Sequence, residues 1–446
     1  MTPMHVVVAW SLALASPGQA PAPRPAAPAA RPAPPRAAQA VQPARPAPVP
    51  VETIAITNAR VLPVSGPAID RGTVVMTGGK IVAVGANLQP PAGARIIDGA
   101  GKVVTPGWIE SATQIGIVEI AGGAKGTDDQ STSDAGLTAA FNVVDAFNGE
   151  TTVIPVTRAE GITSAVVMPA GASHVLLGQG ALMDLSGAQV PASVRKAPVA
   201  MFAILGEAGA EAEGGSRASA MLRLREALQD AVDFSRHGTQ WLAAQRRPYA
   251  RGRLDLEALV PVVRGQLPLA IQANRASDLL AAMRLADEFG LKLILMGAAE
   301  GWKVAEQLAA HKVPVVVKPL TDIPVFDALG ATLENAGRLS KAGVTVVLST
   351  FDTHNARNLR QEAGNAIAYG MDPAAALEAV TLTPARVWGV ADRSGSLQPG
   401  KDADVVVWSG DPFELTTGPE HVFIAGREMS KDTRQRQLLE KYRVIR

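Results

Sequence analysis

The fold of this 446-residue chain is most readily predicted from one stretch, Val103-Val104-Thr105-Pro106-Gly107-Trp108-Ile109-Glu110-Ser111-Ala112-Thr113-Gln114-Ile115-Gly116. Its first seven residues, 103–109, are mostly apolar and predict a β-strand. From there to residue 380, β-type and helical segments alternate. Such alternation is typical of α/β proteins, in which helices connect the strands of a mostly parallel sheet. The stretch therefore predicts the first strand of an α/β domain.

The alternating region is about 280 residues long, close to the ~250 residues of a typical (β/α)8 TIM barrel. Seven strands are predicted clearly, at 103–109, 162–168, 198–204, 268–273, 291–296, 313–317 and 344–349, with an eighth near Gly180–Leu185. Helical patterns occupy 217–234, 276–289, 301–311, 357–369 and 373–380. A closed barrel is our prediction. An open, doubly wound sheet is the alternative, although no Gly-rich dinucleotide fingerprint favours it.

Both ends of this region are β-type. Residues 51–104 contain short apolar runs, two of which flank Gly78-Gly79, and a two-residue Gly-Gly turn predicts a β-hairpin. Near the other end, Asp404–Trp408 and His421–Ile424 predict further strands, and residues 431–446 predict a short surface helix in a C-terminal tail.

The first 50 residues differ from the rest. Residues 1–16 are a candidate signal peptide, because the apolar run Val6–Ala15 ends in Ala13-Leu14-Ala15, although no Lys or Arg precedes it. A disordered apolar tail is the alternative. Residues 17–50 are rich in Pro and Ala and predict a disordered linker. A cleaved N-terminus implies a periplasmic or secreted protein, with a cytoplasmic one as the alternative.

The charge balance argues against nucleic-acid binding. Without the four arginines of the linker, 38 of the 42 basic residues remain against 41 acidic ones, so residues 51–446 carry a net charge of −3. The chain has no cysteine, which excludes disulfides and thiolate chemistry. No later apolar run reaches the ~18 residues that a membrane span requires.

The stretch at 103–116 also resembles the first barrel strand of the amidohydrolase superfamily, where Pro-Gly-x-Ile-Asp precedes x-His-x-His. Blocks in the same order and spacing support the resemblance to its imidazolonepropionase-like or prolidase-like branch; they are Ile54–Val61, Gly79–Gly85, Ala165–Ala170, Gly178-Gln179, Ala376–Arg386 and Gly395–Asp404. The resemblance implies a TIM barrel at 105–384 and a small β-sandwich composed of 51–104 and 385–430. It also implies hydrolysis of non-peptide C–N bonds in cyclic amides or dipeptide-like substrates, with one or two Zn²⁺ or similar ions.

The positions at which the family binds its metals hold other residues in this chain. Ala112 and Gln114 replace the two histidines of strand 1, and Glu207 is the nearest carboxylate where the family has a bridging lysine or glutamate. Gln272 and Asn274 end strand 5, and Leu295–Gly297 ends strand 6 without a histidine. In strand 8, Phe351 stands in register with the family's aspartate, and Asp352 comes one residue late.

This donor set predicts no bound metal, because neutral amides are poor zinc ligands. A catalytic metal lowers the pKa of its bound water from about 15.7 to about 7, which corresponds to roughly 12 kcal/mol of nucleophile activation. A lone general base supplies only about 10²–10⁴-fold. Hydrolysis by the family route is therefore not expected from this chain alone.

The remaining candidates are polar residues at the predicted strand ends. Asp352 and Lys318 are candidate catalytic groups, for which helix capping and a plain surface lysine are the alternatives. The candidate ligand-binding residues are Gln114, Gln272, Asn274, Glu207, His174 and His354. For the two histidines, an exposed or hydrogen-bonded loop residue is the alternative.

Three functions stay open at this point. The first is a metal-less member of the family that acts as a binding or scaffold subunit for a small molecule, as a homo-oligomer or with an active amidohydrolase paralogue. The second is an active hydrolase with a non-standard ligand set that would include Glu207, Asp352 and His354. The third is a metal-free lyase or isomerase that uses Lys318 and Asp352.

Overall fold

A computed structural model describes residues 52–119, 128–171 and 173–443. The predicted signal peptide and linker, at residues 1–50, lie outside the described residues. The described strands are β1 Thr53–Val61, β2 Ile69–Thr77, β3 Lys80–Ala86, β4 Arg95–Asp98, β5 Val103–Pro106, β6 Trp108–Thr113, β7 Ile162–Val167, β8 Leu176–Asp184, β9 Val194–Ile204, β10 Leu269–Ala273, β11 Leu293–Gly297, β12 Val315–Val317, β13 Val346–Leu348, β14 Val405–Trp408, β15 Pro419–Ile424 and β16 Arg427–Glu428.

Helices connect most of these strands. The described α-helices are α1 Val153–Arg158, α2 Gly206–Ala212, α3 Arg217–Leu242, α4 Arg253–Val263, α5 Ala276–Phe289, α6 Ala305–Ala310, α7 Asn335–Lys341, α8 Leu359–Ala368, α9 Pro373–Ala379, α10 Leu382–Val387 and α11 Arg434–Tyr442. Helix α5 shows why the sequence folds this way. Its apolar residues Leu279, Ala282, Met283 and Ala286 recur at helical spacing on one buried face, and Gly290 ends the helix with φ +65°.

One sheet contains strands from both ends of the described chain. Its order is β16-β15-β14-β5-β1-β2-β3, with β4 beside β1. The pairing of β14 with β5, in which Val405 lies opposite Pro106, joins the two ends. The predicted Gly78-Gly79 hairpin is confirmed between β2 and β3, and both glycines have positive φ. This sheet forms a composite β-domain with its own apolar core.

The second sheet is a nearly closed TIM-like barrel. Its order is β13-β12-β11-β10-β9-β8-β7-β6. The edge strands β6 and β13 are joined through a side chain: the Glu110 carboxylate accepts hydrogen bonds from the Ser349 hydroxyl and from the Thr350 backbone N–H. Thr113 Oγ1 also donates to the carbonyl of Asp352 at 2.8 Å. The barrel interior is filled by side chains such as Ile109, Val166, Phe202, Val316 and Val347.

Two details of the predicted barrel are wrong. The strand predicted at 103–109 is two strands, because Gly107 separates β5 of the composite domain from β6 of the barrel. The predicted eighth strand is present as β8, but it pairs antiparallel with both neighbours, β7 and β9. No helix lies between β8 and β9, so the chain turns back directly and β8 must run the other way. The barrel is therefore not an all-parallel (β/α)8 barrel.

No helix among the described residues has the length and the apolar character needed to cross a membrane.

Candidate functional site

The carboxyl ends of the parallel strands meet at one end of the barrel, here called the mouth, where enzymes with this fold place their catalytic groups. Five inward-facing side chains at this level belong to one apolar cluster, here called the apolar plug: Ala112, Met168, Ile204, Met296 and Phe351. The first four are buried, and Phe351 is half-buried against them. The plug occupies positions where the resemblance implies metal ligands, notably at Ala112, Met296 and Phe351.

Gln114 and Gln272 are polar residues beside the plug. The Gln114 amide donates to the carbonyl of Met168 at 3.5 Å, and its oxygen accepts from the Thr353 hydroxyl at 3.3 Å. Gln272 follows the inward-facing Ala270 by two residues on β10, so it shares the same face of the strand. Both are therefore placed at the mouth, where their amides can donate or accept hydrogen bonds but ligate metals poorly.

Asn274 and Glu207 share one hydrogen-bond acceptor, a carboxylate that was not predicted from the sequence. Asp327 accepts a hydrogen bond from the Asn274 amide at 3.5 Å and from the Glu207 backbone N–H at 3.3 Å. It also forms an ion pair with the guanidinium of Arg217, which reaches Asp278 as well. The Glu207 side chain itself is exposed. Asp327 lies 53 residues beyond Asn274, in a loop with no motif that would have identified it.

Lys318 directly follows β12, and its charge acts on the buried carboxyl group of Glu362, which in turn lies near Asp322. Burial, with a smaller contribution from the nearby Asp322, raises the pKa of Glu362 to about 7, although the Leu320 N–H and the charge of Lys318 oppose this shift. Burial likewise raises the pKa of Asp322 to about 7, against a hydrogen bond from Asn335. Leu320 N donates to Glu362 at 2.7 Å, which attaches the segment after β12 to helix α8. The proximity of Glu362 to Lys318 and to Asp322 was not predicted.

The polar atoms of Asp352 and His354 are engaged in hydrogen bonds within the protein. Asp352 Oδ1 accepts from the Asn355 N–H at 2.9 Å, and Oδ2 accepts from the Asn355 amide at 3.3 Å. His354 Nε2 lies 3.0 Å from the carbonyl of Glu119. His174 is half-buried, and its Nε2 has no hydrogen-bond partner among the described residues. These contacts of Asp352 close the turn 352–355, and Asn355 rather than Asp352 stands at the N-cap of the short helical segment Ala356–Asn358.

Glu110 is the buried carboxyl group at the mouth that the sequence identified only as part of a motif. It is completely buried, and burial raises its pKa to about 7 although Ser349, Ala112 and Thr350 donate hydrogen bonds to it. Because these donors lie on β6 and directly after β13, Glu110 has a clear structural role in closing the barrel.

The residues at the mouth do not fit a divalent metal of the kind that the resemblance implies. Zinc and similar ions in such sites need histidine, cysteine or carboxylate donors. Among the described residues, no three or more His, Cys, Asp or Glu side chains are grouped so that they could hold a metal ion. The candidate residues lie instead in separate hydrogen-bonded groups around an apolar plug.

A cavity of about 530 Å³ lies at the opposite end of the barrel. It is lined by Pro268, Leu293 and Pro314, which precede or begin the strands β10, β11 and β12. Residues at that end of a barrel usually serve stability, so this cavity does not mark the site.

The three carboxyl groups with raised pKa values predict an unusual pH dependence of stability. Glu110, Asp322 and Glu362 keep their protons up to about pH 7 in the folded protein, whereas unfolded carboxyls lose them near pH 4. The folded state thus binds more protons between these values, so stability falls as pH rises from about 5 to 7 and then levels off. We expect a loss on the order of 1–3 kcal/mol per group.

Urea unfolding at pH 5 and pH 8 measures this effect. The Glu362→Gln variant keeps a carbonyl for the Leu320 N–H but cannot titrate, so its stability should fall less over that interval. Glu257→Gln, at an exposed helix position, is the matched control and should keep the wild-type slope. A wild-type protein that gains stability between pH 5 and pH 8 would contradict the prediction.

The chain is similar to several known amidohydrolases. A family model described as the amidohydrolase family matches residues 276–429. The amidohydrolase tasK of Hapsidospora irregularis is 24% identical over 402 residues, which cover 82% of this chain and 40% of that protein. This chain therefore spans well under half the length of that curated relative.

Solved structures give the same result. Phenylurea hydrolase B, at 18% identity and a TM-score of 0.54 over 85% of this chain and 97% of its own, shares the fold. An amidohydrolase from Thermotoga maritima MSB8 has a TM-score of 0.76 and 30% identity, over 85% of this chain and 100% of that chain. Because that relative is matched over its whole length, the protein described here belongs to the amidohydrolase superfamily.

Proposed function

We propose that this chain is a metal-less member of the superfamily that acts as a binding or scaffold subunit. The observation that carries the proposal is the apolar plug. Its side chains pack against one another at the level of the barrel where a metal-dependent hydrolase would hold its ions and its activated water. An apolar plug supplies neither metal donors nor a polar environment for that water.

The remaining polar groups do not replace what is missing. Asp352 is hydrogen-bonded to Asn355 through both oxygens, and Glu207 is exposed to water. As a general base, either would accelerate the reaction about 10²–10⁴-fold. A metal-bound water contributes more, because the metal activates the nucleophile by roughly 12 kcal/mol. Binding does not need this activation. Gln114, Gln272 and Asn274 still offer amide donors and acceptors to a small molecule at the mouth.

Metal analysis tests the proposal. Protein purified without chelator is expected to contain far less than one zinc, manganese or iron ion per chain by inductively coupled plasma mass spectrometry. Added Zn²⁺ should leave the unfolding temperature unchanged. If the folded protein had a zinc site, Zn²⁺ at 100 times its Kd would instead stabilise the fold by about 2.7 kcal/mol. The variants Glu207→Gln, Asp352→Asn and His354→Asn should have the same metal content as the wild type.

The opposite outcome would support the active-hydrolase alternative. About one or two ions per chain that survive dialysis, and that are lost in those three variants, would mean that these side chains form a ligand set. The lyase alternative draws on a different observation, the half-buried Lys318 near the buried carboxyl group of Glu362. Borohydride trapping of a carbonyl compound on Lys318, absent in Lys318→Arg, would favour it.

A further inference from the structure

The cavity at the end of the barrel opposite the mouth is rich in cationic side chains. This cavity of about 530 Å³, here called the floor cavity, lies where β10, β11 and β12 begin. Its volume is within the range of about 300–1,000 Å³ that is typical of small-molecule sites. Its ionisable lining residues are Lys196, Lys292, Lys312, Arg386, His311 and Asp287. Four cations thus line one cavity with a single carboxylate, although residues 51–446 as a whole carry a net negative charge.

Two of these lysines have no carboxylate partner. Lys292 directly precedes β11 and Lys312 lies just beyond helix α6, and both side chains are exposed. Within the described part of the chain neither forms an ion pair, whereas other lysines do, namely Lys80, Lys102 and Lys303. The charges of Lys292 and Lys312 are therefore free to attract an anion from solvent.

The two ammonium groups are not needed to complete the nearby helix ends. At the end of α5, the Leu291 N–H donates to the Ala286 carbonyl at 2.9 Å. At the end of α6, the Val313 N–H donates to the Leu308 carbonyl at 3.0 Å. Such backbone bonds satisfy carbonyls that a helix end otherwise leaves open. Both lysines can therefore donate to a ligand without giving up a structural hydrogen bond.

Lys196 and Arg386 bring cations from two further elements, β9 and α10. Lys196 Nζ donates to the carbonyls of Trp388 at 3.0 Å and Gly389 at 3.4 Å. Gly389 itself lines the cavity, so this ammonium group is fixed at the cavity wall and keeps a third donor for a ligand. Arg386 has an exposed ion pair with Glu378 at 3.8 Å, and such pairs are weak.

The one carboxylate of the floor cavity is directed at a histidine. Asp287 Oδ2 lies 3.8 Å from His311 Nε2, and the Asp287 side chain is 65% exposed. This carboxylate forms no ion pair with the lysines of the cavity. The floor cavity therefore keeps an excess of positive charge.

The inner wall of the floor cavity is apolar. Four of its lining residues are at most 8% exposed, namely Met283, Leu293, Ile294 and Val313. Ile294 belongs to the apolar interior of the barrel, so the cavity reaches the end of the packed core. An apolar wall of low dielectric constant strengthens the attraction of nearby cations for an anion. A free inorganic ion would leave this wall uncovered, whereas an anion attached to an apolar group would cover it.

We propose that the floor cavity binds a small phosphate monoester with an apolar body. The phosphate lies among Lys292, Lys312 and Arg386, and the apolar body lies against Met283 and Leu293. A phosphate dianion is favoured over a single carboxylate because several cations line the cavity and both lysine and arginine bind phosphate well. The site is at the opposite end of the barrel from the mouth, so the proposal is independent of whether the mouth binds metal.

Isothermal titration calorimetry of the full chain with phenyl phosphate tests the site at about pH 8, where a phosphate monoester carries two charges. The wild type should bind with a Kd below about 1 mM, and Lys292→Met and Lys312→Met should each raise the Kd about 10-fold. Methionine keeps most of the apolar stem but removes the charge. Lys441→Met is the matched control, because Lys441 is exposed on α11 and does not line the cavity. It should keep the wild-type Kd, and unchanged unfolding temperatures would show that all three variants fold.

Two further probes separate the charged head from the apolar body. Inorganic phosphate and phenol should each bind about 10-fold more weakly than phenyl phosphate, or weaker still. Inorganic phosphate that binds as tightly as phenyl phosphate overturns the assignment of an apolar body, and phenol that does so overturns the assignment of an anion. Absence of phenyl phosphate binding overturns the site itself, as does a Kd that is the same in the wild type and in both cavity lysine variants.

Discussion

Replacing Arg195 by methionine is expected to destabilise the folded protein by about 3–5 kcal/mol. Arg195 lies at the start of β9, and its guanidinium reaches three carboxylates: Asp184 at 3.2 Å, Asp402 at 2.7 Å and Asp404 at 3.4 Å. All four side chains are at most 12% exposed. Asp184 belongs to the barrel, whereas Asp402 and Asp404 precede β14 of the composite domain. The ion cluster thus joins the two sheets.

The destabilisation would arise mainly at Asp184 and Asp404, which would lose their ion pairs with Arg195. Asp402 retains ion pairs with Lys80 at 2.6 Å and Arg393 at 2.9 Å. Burial already raises the pKa of Asp404, and the charge of Arg195 counteracts that shift. Without Arg195, the buried carboxylates would be protonated more readily. The destabilisation should therefore be smaller at pH 5 than at pH 8, because neutral carboxyl groups no longer need the cation.

Urea unfolding of Arg195→Met and Arg393→Met at both pH values measures the effect. Arg393 touches the same cluster but is 49% exposed, so its removal should cost under about 1 kcal/mol. Equal losses of stability for the two variants would contradict the explanation that burial makes the ion pairs of Arg195 important. A loss for Arg195→Met that does not depend on pH would contradict the electrostatic explanation.

Elements with a strong local pattern were predicted well from the sequence. Helix α5 has the predicted bounds, because its apolar face and the glycine after it are local features. The Gly78-Gly79 hairpin was predicted for the same reason. The antiparallel direction of β8 was not predicted, since an apolar strand carries no mark of its direction. The break at Gly107 was missed as well, because apolar residues continue on both sides while the chain passes from one sheet to the other.

The sequence predicted which residues lie at the mouth but not which of them contact one another. Comparison with the family motif identified Ala112, Gln114 and Phe351 as replacements at the mouth. It did not predict that Met168 and Ile204 would complete an apolar plug, because that depends on which strands face one another. The Asp322 and Glu362 carboxyl groups lie 40 residues apart in sequence and were missed for the same reason. Pairings of this kind leave no pattern along the chain.

Replacing Gly107 by alanine is expected to destabilise the protein by about 3 kcal/mol or more, at the upper end of overpacking effects. A Cβ at this position would lie 2.1 Å from Thr163 Oγ1 and 2.7 Å from Thr163 Cβ. Thr163 is buried on β7, so it cannot move without displacing the strand. The backbone of Gly107 does not have positive φ, so alanine is conformationally acceptable there and the cost is steric.

Two further variants isolate the steric cause. Gly418→Ala adds the same methyl group where no atom lies within 4 Å, so its stability should stay within about 0.5 kcal/mol of the wild type. Thr163→Ala removes Oγ1 and Cγ2, so Gly107→Ala combined with Thr163→Ala should be less destabilised than the sum of the single variants. Additive losses would show that the two side chains do not collide. A combined loss smaller than the sum would mean that glycine is needed at position 107 because the chain contacts β7 directly where it passes from β5 to β6.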